Sequence, residues 1–256
     1  MPKIYIICLL TLLIGIISCE DKKSSSKNVE QNNITSEKRD TSSTNEGKNQ
    51  TEEERSRKEK AKAQNEELKN KIGSIVESQE ELKPFLKKYG ENNPETRVRL
   101  KTRFGDIELR LYKDTPLHRA NFILLVKQDY FNDTILHRVS EGFVIQGGNS
   151  DGYQTPKKRQ RIGNYLIPNE ATPDHPHVRG VLSAAKYTEQ NISQASSPFE
   201  FFIVQAPNGA HHLDGEHTVF GEVTKGMEVV DEINKVEVDE NEWPKSNIYI
   251  DMELLE

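Results

Sequence analysis

The chain has 256 residues, of which 34% are hydrophobic and 30% are charged, and its formal net charge is −6 at pH 7. So low an apolar content indicates one packed domain diluted by a long polar stretch. An acidic chain is a poor partner for nucleic acid, whose phosphates attract basic surfaces, so no nucleic-acid partner is expected.

The N-terminus has the pattern of an export signal. Lys3 precedes an apolar run that ends at Ile17, which is too short to span a bilayer comfortably and is typical of a signal peptide. The sequence Ile16-Ile17-Ser18-Cys19 resembles the bacterial lipobox. We therefore predict a signal peptide over residues 1–18 and a lipid on Cys19 that anchors the protein in the cell envelope, facing the periplasm or the cell exterior. The alternative is an ordinary signal peptide with an incidental cysteine.

The two cysteines, Cys8 and Cys19, both lie in this N-terminal segment. The rest of the chain can therefore form neither an internal disulfide nor a thiolate metal site. Residues 19–50 contain almost nothing apolar, so burial cannot offset the entropy of ordering them, and we predict a flexible, lipidated linker.

Residues 51–95 form a charged and partly helical segment. Thr51 and Glu54 have the spacing of a capping box, which predicts a solvated, partly formed helix. A helix that binds a partner is the alternative, but apolar residues are too sparse there to favour it.

A second helix is predicted from Ser78, with an apolar face that packs on the domain that follows. Pro84 should distort or delay this helix, and Gly90 should end it. The face consists of Leu82, Phe85, Leu86 and Tyr89.

From residue 96 to residue 256 the pattern predicts a β-rich domain. Apolar and charged residues alternate around Val98 and Leu100, and again around Ile107 and Leu109, which predicts a hairpin with one buried face. Thr115 and Pro116 predict the start of a helix as N-cap and first helical residue.

Further helices, strands and loops are predicted from the same kinds of sequence pattern. A last helix is predicted around Val230, the basic run 157–161 is predicted to lie in a solvated loop, and residues 248–252 alternate as a closing strand. Many short strands with two helices indicate a closed antiparallel barrel. The intervening strand-like runs begin at Phe143, Gly180, Phe201 and His217.

One block identifies a family. His137-Arg138-Val139, followed by the run from Gly142 to Gly148, resembles the cyclophilin signature. Three later blocks continue the resemblance in the same order, at 179–185, 200–203 and 213–221. The resemblance implies a mainly β fold, a closed eight-stranded antiparallel barrel with two capping helices, and peptidyl-prolyl cis-trans isomerase activity without a cofactor.

The resemblance also implies the roles of individual residues. Arg138 corresponds to the donor that stabilises the twisted peptide bond, and Gln146 corresponds to the residue that braces Arg138 and the substrate carbonyl. His212 stands where many members have tryptophan, which predicts weak inhibition by cyclosporin. The substrate-binding positions are Phe143, Val144, Phe202 and Leu213 in the proline pocket, His217 at its edge, His212 beside Leu213, and Ala185 with the backbone of Lys186 as a ledge for the peptide.

Two departures make substrate preference hard to transfer. Glu200 replaces the usual glutamine and places a charge near the groove, and the polar segment 187–199 does not align. No metal site is expected, because the histidines lack partners at a recognised ligand spacing. Ser183, His217 and Asp214 are present without a nucleophile elbow, so no catalytic triad is expected.

We expect a monomeric enzyme that acts on proline-containing, unfolded or partly folded exported proteins. The alternatives are a cyclophilin-fold binding module or chaperone with little turnover, and a metal-binding lipoprotein supported only by the histidines.

Overall fold

The protein is described here from a computed structural model, which defines residues 46–187 and 193–256. The predicted signal peptide, Cys19 and nearly all of the predicted linker lie outside these residues. None of the helices in the two described ranges combines the length and the apolarity that a membrane crossing needs.

Within these ranges the chain forms five α-helices and eight strands. The helices are α1 (Glu46–Asn70), α2 (Gln79–Asn92), α3 (Pro116–Lys127), α4 (Gln154–Ile162) and α5 (Met227–Ile233), with a 3-10 turn at His211–Leu213. The strands are β1 (Arg97–Thr102), β2 (Gly105–Leu111), β3 (Thr134–Ser140), β4 (Val144–Asn149), β5 (Val181–Ala184), β6 (Phe201–Val204), β7 (Val219–Lys225) and β8 (Tyr249–Leu254).

The strands close into a barrel in the order β1-β2-β7-β5-β6-β4-β3-β8, and β8 pairs again with β1. Every pairing is antiparallel. The predicted hairpin is confirmed, since Arg97 pairs with Arg110 and Thr102 pairs with Gly105. The closed eight-stranded antiparallel barrel is confirmed as well.

Alternation along the strands creates two apolar clusters. Ile145 and Ile203 point into the main core, whereas their neighbours Val144, Phe202 and Val204 belong to a second, smaller cluster. Because successive side chains of a strand point to opposite faces, the second cluster lies on the outer wall of the barrel. The barrel interior is therefore filled, and an apolar surface remains on its outside.

Helix α3 begins at Pro116, as predicted, but Thr115 does not cap it through its side chain. The carboxylate of Glu170 instead accepts hydrogen bonds from the backbone N–H groups of Leu117 and His118, at 3.1 and 3.0 Å. A distant acid thus satisfies the free donors of the first turn. Helix α5 forms as predicted, with Val230 fully buried.

The basic run 157–161 was wrongly predicted as a solvated loop, because it belongs to helix α4. Three of its charged side chains form hydrogen bonds or ion pairs with other parts of the protein. Lys158 donates to the carbonyl of Asn132, Arg161 donates to the carbonyl of Gln128 at 3.1 Å, and Arg159 pairs with Glu200.

The N-terminal helices also differ from the prediction. Thr51 lies inside α1 rather than at its start, and α2 runs through Pro84 and Gly90 to Asn92. Gly90 allows close packing instead of ending the helix, since a Cβ there would lie 3.1 Å from the Cβ of Ala120 on α3. The apolar face of α2 joins the main core, as expected.

Helix α1 is exposed to solvent over residues 52–60, as predicted, but its second half has buried residues. Asn65, only 9% exposed, accepts a hydrogen bond from the Tyr89 hydroxyl at 2.6 Å and donates to the side chain of Asn93 at 3.0 Å. Polar contacts therefore add to the buried Leu68 of α1 in holding this helix, and a search for an apolar stripe misses them.

Candidate active site

The candidate site is built across three neighbouring strands on the outer wall. Arg138 on β3 lies opposite Gln146 on β4, and Gln146 lies opposite Phe202 on β6. Residues directly opposite one another on adjacent strands project from the same face. The barrel therefore places a cation, an amide and an aromatic ring in one row, although 64 positions separate Arg138 from Phe202.

A cavity of about 160 Å³ opens beside this row. Its walls include both apolar side chains of the outer cluster and the polar side chains of the row. Nine of the ten predicted catalytic and substrate-binding residues line it: Arg138, Phe143, Val144, Gln146, Ala185, Lys186, Phe202, Leu213 and His217.

His212, the tenth, does not line the cavity and is exposed. Its ring stacks on Phe143, with centroids 5.5 Å apart and planes at 26°. We therefore correct its expected place: His212 contacts a wall of the cavity through Phe143 and does not itself line the cavity.

Arg138 is fixed at one side of its guanidinium. Its Nε donates to the carboxylate of Glu242 at 2.7 Å, and its Cζ lies 5.9 Å from the centre of the Phe143 ring. The side chain is about one third exposed. Since the described residues offer no partner to its terminal N–H groups, a cation with available donors stands at the mouth of the cavity, beside its apolar walls.

Gln146 does not brace Arg138 in the described part of the chain, contrary to the expectation. Its amide nitrogen donates to Glu200 at 3.3 Å, while Arg138 is held by Glu242. The cause is the glutamate at position 200, which offers a strong acceptor beside Gln146 on β4.

The charge of Glu200 is compensated. Arg159 from α4 lies 3.0 Å from one carboxylate oxygen, and His137 lies 3.5 Å from the other. Burial alone would raise the pKa of Glu200, but His137 and Arg159 outweigh it and hold the pKa below its usual value. The predicted negative charge near the groove is present and is paired within the protein.

A larger cavity of about 730 Å³ adjoins the first one and shares Gln146 and Lys186 with it. Its other walls include Arg159, Tyr187 and Glu200. The surroundings of this larger cavity are polar as well as apolar.

The two residues of the predicted ledge, Ala185 and Lys186, differ in their backbone hydrogen bonds. The backbone N–H of Ala185 donates to the carbonyl of Glu200 at 3.0 Å, and its carbonyl accepts from the N–H of Ser197 at 2.8 Å. Both backbone groups of Ala185 are thus already used. The backbone of Lys186 makes no hydrogen bond to another residue of the two described ranges.

His217 forms the far wall. Its Nδ1 lies 3.0 Å from the carbonyl of Ala184, so this nitrogen carries the proton and donates, and its ring meets Phe202 edge to face at 5.6 Å. Burial lowers the pKa of His217, which keeps the ring neutral at pH 7. The wall is therefore an uncharged aromatic surface.

His177 lies behind this wall and was not predicted from the sequence. It is fully buried, stacks on Phe202 at 6.0 Å, and joins Asp214 at 2.8 Å to Ser183 at 3.0 Å. Asp214, His177 and Ser183 thus form a chain of hydrogen-bonded side chains, in which the histidine is His177 and not His217. Because Ser183 is fully buried, no substrate can reach its hydroxyl, and the chain supports the cavity wall instead.

The geometry defines a class of protein: a closed antiparallel barrel with a peptide-sized groove on its outer wall. A protein-family model described as cyclophilin type peptidyl-prolyl cis-trans isomerase/CLD matches residues 97–253. A peptidyl-prolyl cis-trans isomerase of Acinetobacter baylyi is 40% identical over 145 residues, which are 55% of this chain and 73% of that protein. Peptidyl-prolyl cis-trans isomerase A of Dickeya dadantii is 38% identical over 157 residues, covering 60% and 78%.

Another relative is much longer. The chain covers 27% of peptidyl-prolyl cis-trans isomerase-like 2 of Rhizopus delemar, with 39% identity over 155 residues, 60% of this chain. Among solved structures, a cyclophilin-type isomerase of Cryptosporidium parvum superposes with a TM-score of 0.54 and 26% identity, over 63% of this chain and 98% of that one. The chain therefore belongs to the cyclophilin-type peptidyl-prolyl cis-trans isomerases.

Proposed function

We propose that Arg138 and the cavity beside it carry the isomerisation of this family. The proline ring of the substrate enters the cavity between Phe143, Phe202 and His217, and Arg138 donates a hydrogen bond to the prolyl nitrogen. Gln146 has a second amide hydrogen besides the one that meets Glu200, and it donates this hydrogen to the substrate carbonyl.

The reaction needs binding rather than bond cleavage. A peptide bond resists rotation by about 18–20 kcal/mol because the nitrogen lone pair is delocalised. In the twisted transition state that lone pair is localised on the nitrogen, where it accepts a hydrogen bond far better than in either planar isomer. A donor aimed at this nitrogen therefore stabilises the transition state more than the ground state, and the rotation accelerates.

One observation carries the proposal: a guanidinium held by Glu242 lies at the edge of a cavity whose apolar wall includes two phenylalanines and a neutral histidine. The apolar wall lowers the local polarity, which strengthens a charge-assisted hydrogen bond. A solved relative from Cryptosporidium parvum was crystallised in the presence of the dipeptide Ala-Pro, and it superposes with a TM-score of 0.52 and 27% identity over 62% of this chain and 99% of that one.

The test is the exchange of an Xaa-Pro bond in a short peptide, measured by NMR exchange spectroscopy. Arg138→Ala should lower kcat/KM by about 100- to 1,000-fold, as for the loss of one preorganised donor. Arg57→Ala, on the exposed side of α1, is the matched control and should retain full turnover. Turnover that survives in Arg138→Ala would overturn the role of the guanidinium. Peptide binding without turnover in the wild type would instead support the binding-module alternative.

We further propose that the enzyme acts on exported, incompletely folded proteins at the cell envelope, held there by a lipid on Cys19. The support is the sequence pattern alone: the apolar run, the small residue Ser18 and the cysteine coincide. The full-length chain should take up a labelled fatty acid in a bacterial host and sediment with membranes. Cys19→Ser should abolish both, and the matched variant Cys8→Ser should abolish neither. Incorporation of the labelled fatty acid into the Cys19→Ser protein would refute the lipid anchor on Cys19.

A further inference from the structure

Glu242 lies beside Arg138 on the segment between α5 and β8, and no motif in the sequence points to it. One of its carboxylate oxygens accepts from Nε of Arg138 at 2.7 Å. The other accepts from the hydroxyl of Ser140 at 2.5 Å. Both oxygens of one carboxylate thus contact the strand that carries Arg138.

The backbone of Glu242 is fixed as firmly as its side chain. Its carbonyl accepts from the N–H of Val139 at 2.8 Å, and its N–H donates to the carbonyl of Asp239 at 3.1 Å. The side chain of Asp239 accepts from the N–H groups of Asn241 and Trp243, at 2.8 and 2.9 Å. Hydrogen bonds within the loop and to β3 therefore determine its shape.

Glu242 also adopts an uncommon conformation, with φ of +61°. Residues with a Cβ seldom occupy this left-handed region, and they persist there where the surrounding hydrogen bonds impose it. The conformation brings the carboxylate back over β3 to face Arg138.

The geometry of the guanidinium gives this contact a consequence. Nε carries one N–H and each terminal nitrogen carries two, all in one plane with fixed directions. A carboxylate on Nε sets the plane and the rotation of the group, while the terminal nitrogens are left for another acceptor.

We propose that Glu242 is a positioning residue for the isomerisation: it holds Nε of Arg138 so that the terminal N–H groups face the cavity. This inference rests on the proposed function, in which Arg138 is the donor to the prolyl nitrogen. The substrate does not touch Glu242, which acts only through Arg138.

The carboxylate is ionised under working conditions. The hydrogen bond from Ser140, and then the hydrogen bond and charge of Arg138, lower the pKa of Glu242 below its usual value against an opposing effect of burial. The contact is thus charge-assisted at neutral pH, which makes it directional and short.

The experiment compares variants at this position with a matched control on the same loop. Glu242→Ala should lower kcat/KM by about tenfold, the size expected for the loss of one charge-assisted hydrogen bond, with peptide affinity changed less than about twofold. Glu242→Gln keeps the shape and one acceptor oxygen, so it should lose less, about threefold. Glu240→Ala is the control, because Glu240 is exposed and makes no side-chain hydrogen bond within the described residues; it should change neither quantity.

Two further readouts separate positioning from support of the fold. The Nε–H resonance of Arg138 should shift on Glu242→Ala and stay in place on Glu240→Ala. In an Arg138→Ala background, assayed at high enzyme concentration, Glu242→Ala should cause no further loss. A further loss there, or full turnover of Glu242→Ala beside an impaired Arg138→Ala, would overturn the inference while leaving the role of Arg138 intact. Turnover retained in Arg138→Ala would instead remove the proposed function itself.

Discussion

Replacing Arg159 with methionine should destabilise the protein, because it leaves the carboxylate of Glu200 without its cation. The side chains of Arg159 and Glu200 are 25% and 12% exposed, and their charged atoms lie 3.0 Å apart. Removing one partner of a buried ion pair costs about 3–5 kcal/mol. Glu200 keeps Gln146 and His137 as partners and Arg159 is a quarter exposed, so we expect a smaller loss of about 2 kcal/mol. Methionine retains the apolar stem, so the measured loss belongs to the ion pair and hydrogen bonds of the guanidinium rather than to packing.

Urea unfolding at pH 7.5 gives the free energy directly, and thermal unfolding should show a decrease in Tm of about 4–8 °C. Adding Glu200→Gln to Arg159→Met should restore most of the stability, since the double variant buries no unpaired charge. Glu200→Gln alone should cost about 1 kcal/mol or less, because Arg159 still donates to the Tyr130 hydroxyl. A loss below about 0.5 kcal/mol for Arg159→Met, or no recovery in the double variant, would refute the reasoning.

Two more predictions concern stability. Gly148→Ala should cost at least about 2 kcal/mol by urea unfolding, because φ is +94° there and a Cβ would lie 2.1 Å from the carbonyl oxygen of Phe199; an unchanged midpoint would contradict the geometry. Burial lowers the pKa of His177 and of His217, so below the ordinary value of 6.5 the unfolded chain binds more protons and the free energy of unfolding should fall as the pH falls. Urea midpoints at pH 7.5 and 5.5 check the direction, and equal stabilities would argue against neutral, buried imidazoles.

The barrel could be predicted from the sequence because its strands carry their own periodicity. Val98 and Leu100 alternate with charged residues, and so do Ile107 and Leu109, and the structure pairs these two runs as expected. The site could be predicted only through resemblance. Nothing in the spacing of Arg138 and Phe202 shows that they share a cavity; the barrel order brings them together.

The charged segments were harder to predict because propensity and periodicity do not show where a charge finds its partner. In the sequence, the run 157–161 resembles a solvated loop. In the structure, Arg159 forms an ion pair with Glu200 and Arg161 donates to a backbone carbonyl. The partner of Glu242 was even harder to predict from the sequence. It follows Arg138 by 104 positions and lies outside regular secondary structure, so no local pattern connects the two residues.

The filled interior of the barrel has a consequence for how long chains reach the enzyme. Because the groove crosses the outside of a solid wall, a polypeptide needs no free end to enter it, and a proline in the middle of a chain can dock laterally. The barrel does not have to open and close between the binding of one substrate and the next. The scaffold can remain rigid while only the bound segment rotates, and one chain can present its prolines in succession.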